Sequence, residues 1–134
     1  MAGIPFRILL VEDEPLIRDL VKNMFADAAL ADVEVSCVAD GTLAIQLARK
    51  APPELILLDI VLPGLDGLAT CRIMRAQPSL AGVPIYMLTA KVRHEDHEAS
   101  RKAGADGHIE KPFKGRELVD LVLKLRHGGV REGG

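Results

Sequence analysis

Features that mark several other classes of protein are missing from this chain of 134 residues. No apolar run approaches the roughly 18 residues of a membrane-spanning helix. The net charge of −2 argues against a nucleic-acid-binding surface supplied by the overall field of the protein. The N-terminus lacks a charged region followed by an apolar stretch and a small-residue cleavage site, so we do not expect secretion. These absences predict a cytoplasmic protein that binds neither membrane nor nucleic acid directly.

Cysteine is also scarce, with only Cys37 and Cys71 in the chain. Both stand in apolar surroundings, at a spacing typical of neither a metal site nor a redox motif, so we expect two reduced core residues. A nucleotide-binding fold is disfavoured, because no Gly-x-Gly-x-x-Gly motif or lysine-bearing phosphate loop follows Val11. The remaining composition, 49% apolar and 27% charged, is typical of one globular domain. We place this domain at residues 1–126 and a flexible, glycine-rich tail at 127–134.

Short β-prone runs alternate with helical segments five times along the chain. The third run, Leu55–Leu58, is continuously apolar and ends in a Pro/Gly-rich turn, which predicts a strand buried on both faces. Helical spacing predicts that the first helix packs with Leu16, Ile17, Leu20, Val21, Met24 and Phe25, and the second with Leu43, Ile45, Leu47 and Ala48. A fourth helix, Val92–Ala103, is polar and has few apolar contacts. This alternation predicts a doubly wound α/β sheet of parallel strands with right-handed crossovers.

Polar residues stand where the predicted strands end. Glu12 and Asp13 follow the first strand, Asp59 the third, Thr89 the fourth and Lys111 the fifth. Taken singly, each has an ordinary structural explanation, such as a carboxylate that caps a loop or a solvated lysine. Taken together they favour a site, because ligands of open parallel sheets bind outside the carboxyl ends of the strands.

The chemistry of these groups points to phosphoryl transfer. Clustered carboxylates raise one another's pKa unless a cation neutralises them, and hard oxygen ligands completed by water suit Mg²⁺. A carboxylate can accept a phosphoryl group as an acyl phosphate, while a lysine and a hydroxyl hold the transferred charge. Asp59 is the candidate nucleophile because it ends the buried central strand. Asp13 is the candidate metal ligand, with the backbone carbonyl of Val61 as a further one.

Four segments of the chain resemble the receiver domain of two-component response regulators. They are Leu9-Leu10-Val11-Glu12-Asp13-Glu14, Leu57-Leu58-Asp59 through Leu65-Asp66-Gly67, Leu88-Thr89-Ala90, and Gly104-Ala105-Asp106 through Lys111-Pro112-Phe113. The resemblance covers about Phe6 to Leu125. It implies a flavodoxin-like, five-stranded parallel sheet in the order 2-1-3-4-5 with five helices. It also implies a phosphoryl group taken from a sensor histidine kinase or a histidine phosphotransfer protein.

The same resemblance assigns a role to each residue at the strand ends. It implies that Asp59 is phosphorylated and that Glu12 and Asp13 serve Mg²⁺. It further implies that Thr89 is the switch hydroxyl and that Lys111 contacts the phosphoryl oxygens. The resemblance thus adds Glu12 to the metal ligands.

Two positions distinguish this chain within that family. Family members usually carry Tyr or Phe three residues before the lysine, as a rotating switch side chain, whereas this chain has His108. We therefore expect His108 at the switch position, with a surface role for its imidazole as the alternative. Val61, two residues after Asp59, offers no polar side chain to orient an attacking water, so we expect a long-lived phosphoryl group.

Phosphorylation is expected to rearrange the 91–126 face, which would bind an unidentified downstream protein or a second copy of the chain in a phosphorylation-dependent homodimer. Three alternatives stay open. The chain is a stand-alone scaffold receiver, the N-terminal piece of a longer response regulator, or, remotely, an aspartyl-phosphate phosphatase of the haloacid-dehalogenase kind. That enzyme class needs Asp-x-Asp after its first strand, where this chain has Glu12-Asp13-Glu14. We thus expect a signalling phosphoacceptor rather than an enzyme.

Overall fold

The computed structural model describes residues 5–26, 30, 32–89, 94–111 and 114–128. The strands are β1 (Phe6–Val11), β2 (Val33–Val38), β3 (Leu55–Asp59), β4 (Ile85–Thr89) and β5 (Gly107–Glu110). The helices are α1 (Pro15–Met24), α2 (Gly41–Lys50), α3 (Gly67–Ala76), α4 (His94–Ala103) and α5 (Gly115–Gly128). All strand pairs are parallel and the sheet order is β2-β1-β3-β4-β5, so the predicted flavodoxin-like fold is confirmed.

The sheet separates two hydrophobic cores, as a doubly wound fold requires. One core packs alternate strand residues against α2, α3 and the end of α4, through Ala44, Ala48, Cys71, Met74 and Ala103. The other packs the opposite face against α1 and α5, through Val21, Phe25, Leu118 and Val122. Every residue of β3 is buried, which confirms the interpretation of its continuous apolar run.

The predicted packing sides of α1 and α2 are partly wrong. Leu16 is 80% exposed and Leu20 is 42% exposed, because α1 meets the sheet through a narrower stripe centred on Val21. Leu43 and Leu47 are also exposed, because α2 packs through its small residues. Gly41 shows how closely this helix approaches α3, since a Cβ there would lie 2.0 Å from the Thr70 hydroxyl oxygen.

Helix ends follow the capping pattern of the sequence. Asp40 caps α2 by accepting a hydrogen bond from the Leu43 amide at 2.8 Å. The predicted start of the fourth helix at Val92 lies outside the described residues. The last helix continues to Gly128, two residues into the segment predicted as a tail, and residues 129–134 lie outside the described part.

Both thiols are free, and their burial differs. Cys71 is fully buried, and desolvation raises the pKa of its thiol to about 11. Cys37 is half-buried on β2, so it is less enclosed than predicted. Across the described residues, every helix is too short or too polar to span a membrane.

Candidate functional site

Sheet register brings the predicted polar residues to one edge. Val11 on β1 pairs with Leu58 on β3. Glu12 directly follows Val11 and Asp59 directly follows Leu58, so the two acidic residues occupy neighbouring positions at the ends of these strands. Asp59 pairs with Leu88 on β4, which places Thr89 one residue further along. Lys111 follows β5, and its amide donates to the Thr89 carbonyl at 2.6 Å. Because parallel strands deliver their carboxyl ends together, residues far apart in sequence form one cluster.

A buried ion-pair network forms the centre of this cluster. The Lys111 ammonium donates to Oε1 of Glu12 at 2.7 Å and to Oδ2 of Asp59 at 3.0 Å. The side chains of these residues are only 13%, 0% and 7% exposed, respectively. Removing one side chain from such a network leaves an uncompensated buried charge. Lys111 therefore bridges the two acidic side chains and offsets part of their mutual repulsion.

Burial and proximity shift the acidity of the network. Desolvation, with a further contribution from nearby Asp59, raises the pKa of Glu12 to about 7, although the hydrogen bond from Lys111 opposes the shift. For Lys111, desolvation favours the neutral amine, but the hydrogen bonds to Glu12 and Asp59 outweigh it and raise the pKa of the ammonium. The lysine is therefore charged and available as an electrostatic partner.

Both oxygens of Asp59 are oriented by the protein. Oδ1 accepts a hydrogen bond from the Val61 amide at 3.1 Å, and Oδ2 accepts from Lys111. The loop that follows closes tightly, since the Gly67 amide donates to the Ile60 carbonyl at 2.9 Å. A Cβ at Gly67 would lie 2.1 Å from the backbone oxygen of Asp59, so the loop requires glycine there. The Asp59 carboxylate is thus held in one orientation and is largely buried.

Three carboxylates could hold a cation. One oxygen each from Glu12, Asp13 and Asp59 lies within 4.8 Å of the others, and this is the one such group of three potential ligands found among the described residues. Asp13 is exposed while Glu12 and Asp59 are buried, so one side of the group faces water. Oxygen donors with an open side fit Mg²⁺, which retains several of its waters.

The remaining predicted residues fall into two groups. Thr89 lies next to the cluster and is 7% exposed, whereas the Val61 side chain is 77% exposed beside Asp59. His108 does not belong to the cluster, because its ring lies against that of His97 on α4 at a centroid distance of 4.2 Å. Neither the role of His97 as the ring partner of His108 nor the bond between Lys111 and Glu12 was predicted from the sequence. The pairing of an acidic residue after the first strand with a lysine after the last would have indicated the bond.

Comparison with known proteins agrees with this architecture. The family model described as response regulator receiver domain matches residues 8–123. The DNA-binding response regulator MtrA of Mycolicibacterium smegmatis is 38% identical over 116 residues, which cover 87% of this chain and 48% of that protein. The transcriptional regulatory protein BaeR of Escherichia coli is 41% identical over 119 residues, covering 89% and 47%. The chain thus spans about half the length of the curated relatives it matches.

Solved structures show the same fold. The chemotaxis protein CheY4 of Vibrio cholerae superposes with a TM-score of 0.82 at 30% identity, covering 90% of this chain and 98% of that one. The receiver domain of the sensor histidine kinase PA1611 from Pseudomonas aeruginosa, solved with a magnesium ion coordinated in its active-site cleft, gives a TM-score of 0.80 at 36% identity, with 90% and 97% covered. Family model, relatives and fold agree: this chain belongs to the response regulator receiver domain family.

Proposed function

We propose that this receiver accepts one phosphoryl group on Asp59 in an Mg²⁺-dependent reaction, and that the modified site changes the 91–126 face. The observation that carries the proposal is the placement of Asp59. Its two oxygens are held by Lys111 and by the Val61 amide, beside the carboxylates of Glu12 and Asp13. An oriented carboxylate with a neighbouring ammonium is the arrangement that acyl phosphate formation needs.

The transfer step balances without an added oxidant or reductant. A carboxylate oxygen of Asp59 forms a bond to the phosphorus of a phosphohistidine, and the phosphorus–nitrogen bond breaks. The imidazole nitrogen leaves with the electron pair and takes a proton. Charge then spreads over the transferred oxygens, where the Lys111 ammonium and the Thr89 hydroxyl can donate hydrogen bonds. The protein contributes position and electrostatics, and the donor contributes the reactive bond.

Glu12, Asp13 and Asp59, with the backbone carbonyl of Val61, are the proposed holders of Mg²⁺. The acidic group fits the ion, as its donors are all oxygens and one side is open to water. A magnesium ion is coordinated in the cleft of the Pseudomonas receiver, which supports the assignment. When bound, the ion would neutralise carboxylate and phosphoryl charge. Lys111 alone balances only part of the negative charge of three carboxylates.

The phosphodonor is proposed to dock over α1. Leu16 is 80% exposed and Leu20 is 42% exposed on this helix, while Val61 is 77% exposed beside Asp59. Contiguous exposed apolar patches mark interaction surfaces, and we propose that these three side chains form one. A helical surface of a sensor histidine kinase or a histidine phosphotransfer protein would cover them and deliver its histidine to Asp59.

The downstream partner is proposed to bind the 91–126 face, either as another protein or as a second copy of this chain. Residues 91–93, 112 and 113 of this face lie outside the described part. Because MtrA is named as DNA-binding and this chain covers 48% of it, one candidate role is the receiver portion of a longer regulator. A stand-alone scaffold receiver is the alternative. The free thiols of Cys37 and Cys71 favour a cytoplasmic setting.

An aspartyl-phosphate phosphatase is less well supported. In this chain the candidate nucleophile ends β3, whereas the haloacid-dehalogenase class places it after the first strand. Receiver domains are signalling phosphoacceptors, and the proposed chemistry is limited to uptake and hydrolysis of the domain's own phosphoryl group. Multiple turnover of small phosphate esters would favour the phosphatase instead.

Intact-mass analysis tests the proposal directly. Incubation with acetyl phosphate and Mg²⁺ is expected to add a single phosphoryl group that is stable in acid and labile in base. Asp59→Asn should abolish this adduct, whereas Asp19→Asn, which removes an exposed carboxylate of α1, should leave it unchanged. An Asp59→Asn variant that is modified at the wild-type rate would refute the assignment.

A further inference from the structure

Asp106 lies directly before β5, at the end of the sheet opposite to the carboxylate cluster. Its amide donates to the Ile85 carbonyl at 2.8 Å, and its Oδ2 accepts from the Ile85 amide at 2.9 Å. Because Ile85 begins β4, this pair of hydrogen bonds joins the starts of two neighbouring strands. It aligns Asp106 with Ile85, in step with the next pair of the register, Tyr86 with Gly107. Asp106 therefore fixes the register at which β5 enters the sheet.

Arg75, in the last turn of α3, holds the same carboxylate in place. Its Nη2 donates to Oδ2 of Asp106 at 3.0 Å, and its Nε donates to the Gly104 carbonyl at 2.9 Å. Its Nη1 donates to three carbonyls that precede β4, those of Leu80, Ala81 and Val83. Both side chains of the ion pair are largely buried, so solvent screens it less than a surface pair. One arginine thereby fixes the carboxylate relative to the segments that precede both strands.

Few other features set the register of β5. It is an edge strand of four residues that pairs with β4 alone. Ile109 is its single buried residue, so the alternation of buried and exposed residues that specifies the register of other strands is weak here. A slip of two residues would leave every side chain on its own face of the sheet. The bonds of Asp106 at the start of the strand oppose such a slip.

The register of β5 determines where Lys111 lies. Lys111 comes five residues after Asp106, about 17 Å along the strand at a rise of about 3.3 Å per residue. Its ammonium lies 2.7 Å from Oε1 of Glu12 and 3.0 Å from Oδ2 of Asp59. A slip of two residues would carry it about 7 Å along the strand, beyond hydrogen-bond distance of both carboxylates. The site cation thus depends on a contact at the far end of its strand.

We propose that Asp106 is a positioning residue for phosphoryl transfer, which fixes the register of β5 and so places the Lys111 ammonium against Asp59. This inference rests on the proposed phosphorylation of Asp59. Asp106 contacts neither the carboxylate cluster nor a transferred group, and it acts only through β5. Removing its carboxylate should therefore have the consequences of withdrawing the ammonium from the site, and no others.

Glu54 provides a matched comparison, because it makes the same contacts at the start of another strand. It lies directly before β3, its amide donates to the Arg7 carbonyl at 2.9 Å, and its Oε1 accepts from the Arg7 amide at 2.6 Å. Its carboxylate also pairs with the Arg7 guanidinium at 3.2 Å. Unlike β5, however, β3 pairs with a strand on each side and is buried throughout. Its register is thus set without Glu54, and Asp59 should keep its place when that carboxylate is removed.

Calorimetric Mg²⁺ titration and acetyl phosphate kinetics of the full chain test this role. Asp106→Ala should slow phosphorylation several-fold, towards the loss of about tenfold or more expected when the ammonium itself is removed. It should also bind Mg²⁺ more tightly, because the ammonium competes less for the carboxylates, whereas general damage to the site would weaken Mg²⁺ binding. Asp106→Asn keeps an oxygen that can accept from the Ile85 amide and should restore most of the rate. Glu54→Ala should leave the rate and the Mg²⁺ affinity unchanged.

Combination with Lys111→Met gives the decisive comparison. In that background Asp106→Ala should not slow phosphorylation further, since the ammonium that it positions is gone. An equal slowing in both backgrounds, or a wild-type rate and Mg²⁺ affinity in Asp106→Ala, would overturn the inference. If Asp106→Ala unfolds the chain, the same measurements are made in sucrose, which favours the folded state. A wild type that takes no phosphoryl group from acetyl phosphate refutes the proposed function itself, whereas the Mg²⁺ titration still tests the positioning of Lys111.

Discussion

The ammonium nitrogen of Lys111 lies 2.7 Å from Oε1 of Glu12 and 3.0 Å from Oδ2 of Asp59. One buried cation thereby joins the carboxylates that end two neighbouring strands. Burial raises the pKa of Glu12 to about 7, and the hydrogen bond from Lys111 counteracts that rise. The lysine therefore limits how far burial raises the pKa of this carboxyl group. It prepares the site electrostatically before any phosphoryl group arrives.

Replacing this cation should separate metal binding from phosphoryl transfer. In Lys111→Met, we expect Mg²⁺ to bind more tightly, because its competitor for the carboxylates is gone. Phosphorylation by acetyl phosphate should slow by about tenfold or more, since the transferred charge loses an ammonium partner. Calorimetric Mg²⁺ titration and intact-mass kinetics measure the two effects.

Stability should respond to the same substitution. Without Mg²⁺, Lys111→Met is expected to lose about 3 kcal/mol of unfolding free energy, as two buried carboxylates are left without their cation. Part of this loss should return when Mg²⁺ is added. Urea unfolding with and without the ion checks this, and Lys102→Met is the exposed control. An equal loss at all Mg²⁺ concentrations would argue that Lys111 acts only through packing.

Asp13 should affect the metal more than the fold. It is the exposed member of the carboxylate group, so Asp13→Asn removes a charge that repels Glu12 and Asp59 without opening the core. Mg²⁺ affinity should fall by about tenfold or more, while the metal-free protein becomes no less stable. NMR titration with Mg²⁺ measures the affinity, and Asp19→Asn controls for net charge. An unchanged titration would place the metal elsewhere.

Val61 should control the lifetime of the acyl phosphate. Its side chain is 77% exposed beside Asp59, so substitutions there change the surface next to the site and leave the core intact. Val61→Asn supplies groups that can orient an attacking water, and we expect the phosphoryl group to be lost several-fold faster. Val61→Ala is the matched control, since it shortens the side chain without adding a polar group. Equal lifetimes for Val61→Asn and wild type would show that another feature admits water.

Much of this architecture could be predicted because the strongest patterns reflect simple causes. The apolar run before Asp59 has no polar side, so it is stable only where both of its faces are buried. The parallel topology then brings the polar residues at the strand ends to one edge of the sheet. The packing side of α2 could not be predicted in the same way. Its leucines suggest a core face, yet the residues that it buries are Gly41, Ala44 and Ala48, and Gly41 permits the close approach to α3. Side-chain size at a helix contact outweighed hydrophobicity, and single-sequence periodicity does not separate the two.

The candidate site shows a similar division. The clustering of Asp59, Asp13 and Lys111 was predicted from their positions at the carboxyl ends of the strands, but the bond between Lys111 and Glu12 depends on side-chain reach across the ends of β4 and β3. The contact of His97 with His108 depends on the rotation of α4 about its axis. This polar helix has no clear apolar stripe from which that rotation could be read. Contacts between long or polar side chains therefore could not be predicted from the sequence alone.

Gly67 should prove essential for the position of Asp59. A Cβ at residue 67 would lie 2.1 Å from the Asp59 carbonyl oxygen and 2.6 Å from the Cα of Ile60, and both obstacles are backbone atoms. Gly67→Ala must therefore push the end of β3 away from the first turn of α3. We expect a loss of about 3 kcal/mol in unfolding free energy, comparable to that of other overpacked sites. Phosphorylation at Asp59 should slow in the fraction that remains folded.

Gly82 offers the matched control for this prediction. A Cβ at residue 82 would have no neighbour within 4 Å, and the backbone there is not in the left-handed region. Gly82→Ala should therefore leave phosphorylation unchanged and alter stability by no more than about 1 kcal/mol, in the stabilising direction if the unfolded chain loses freedom. Urea unfolding and acetyl phosphate kinetics on the two variants measure both effects. If Gly67→Ala matches Gly82→Ala in stability and rate, the turn after Asp59 tolerates a side chain, and the orientation of the carboxylate must depend on its bonds to Lys111 and the Val61 amide instead.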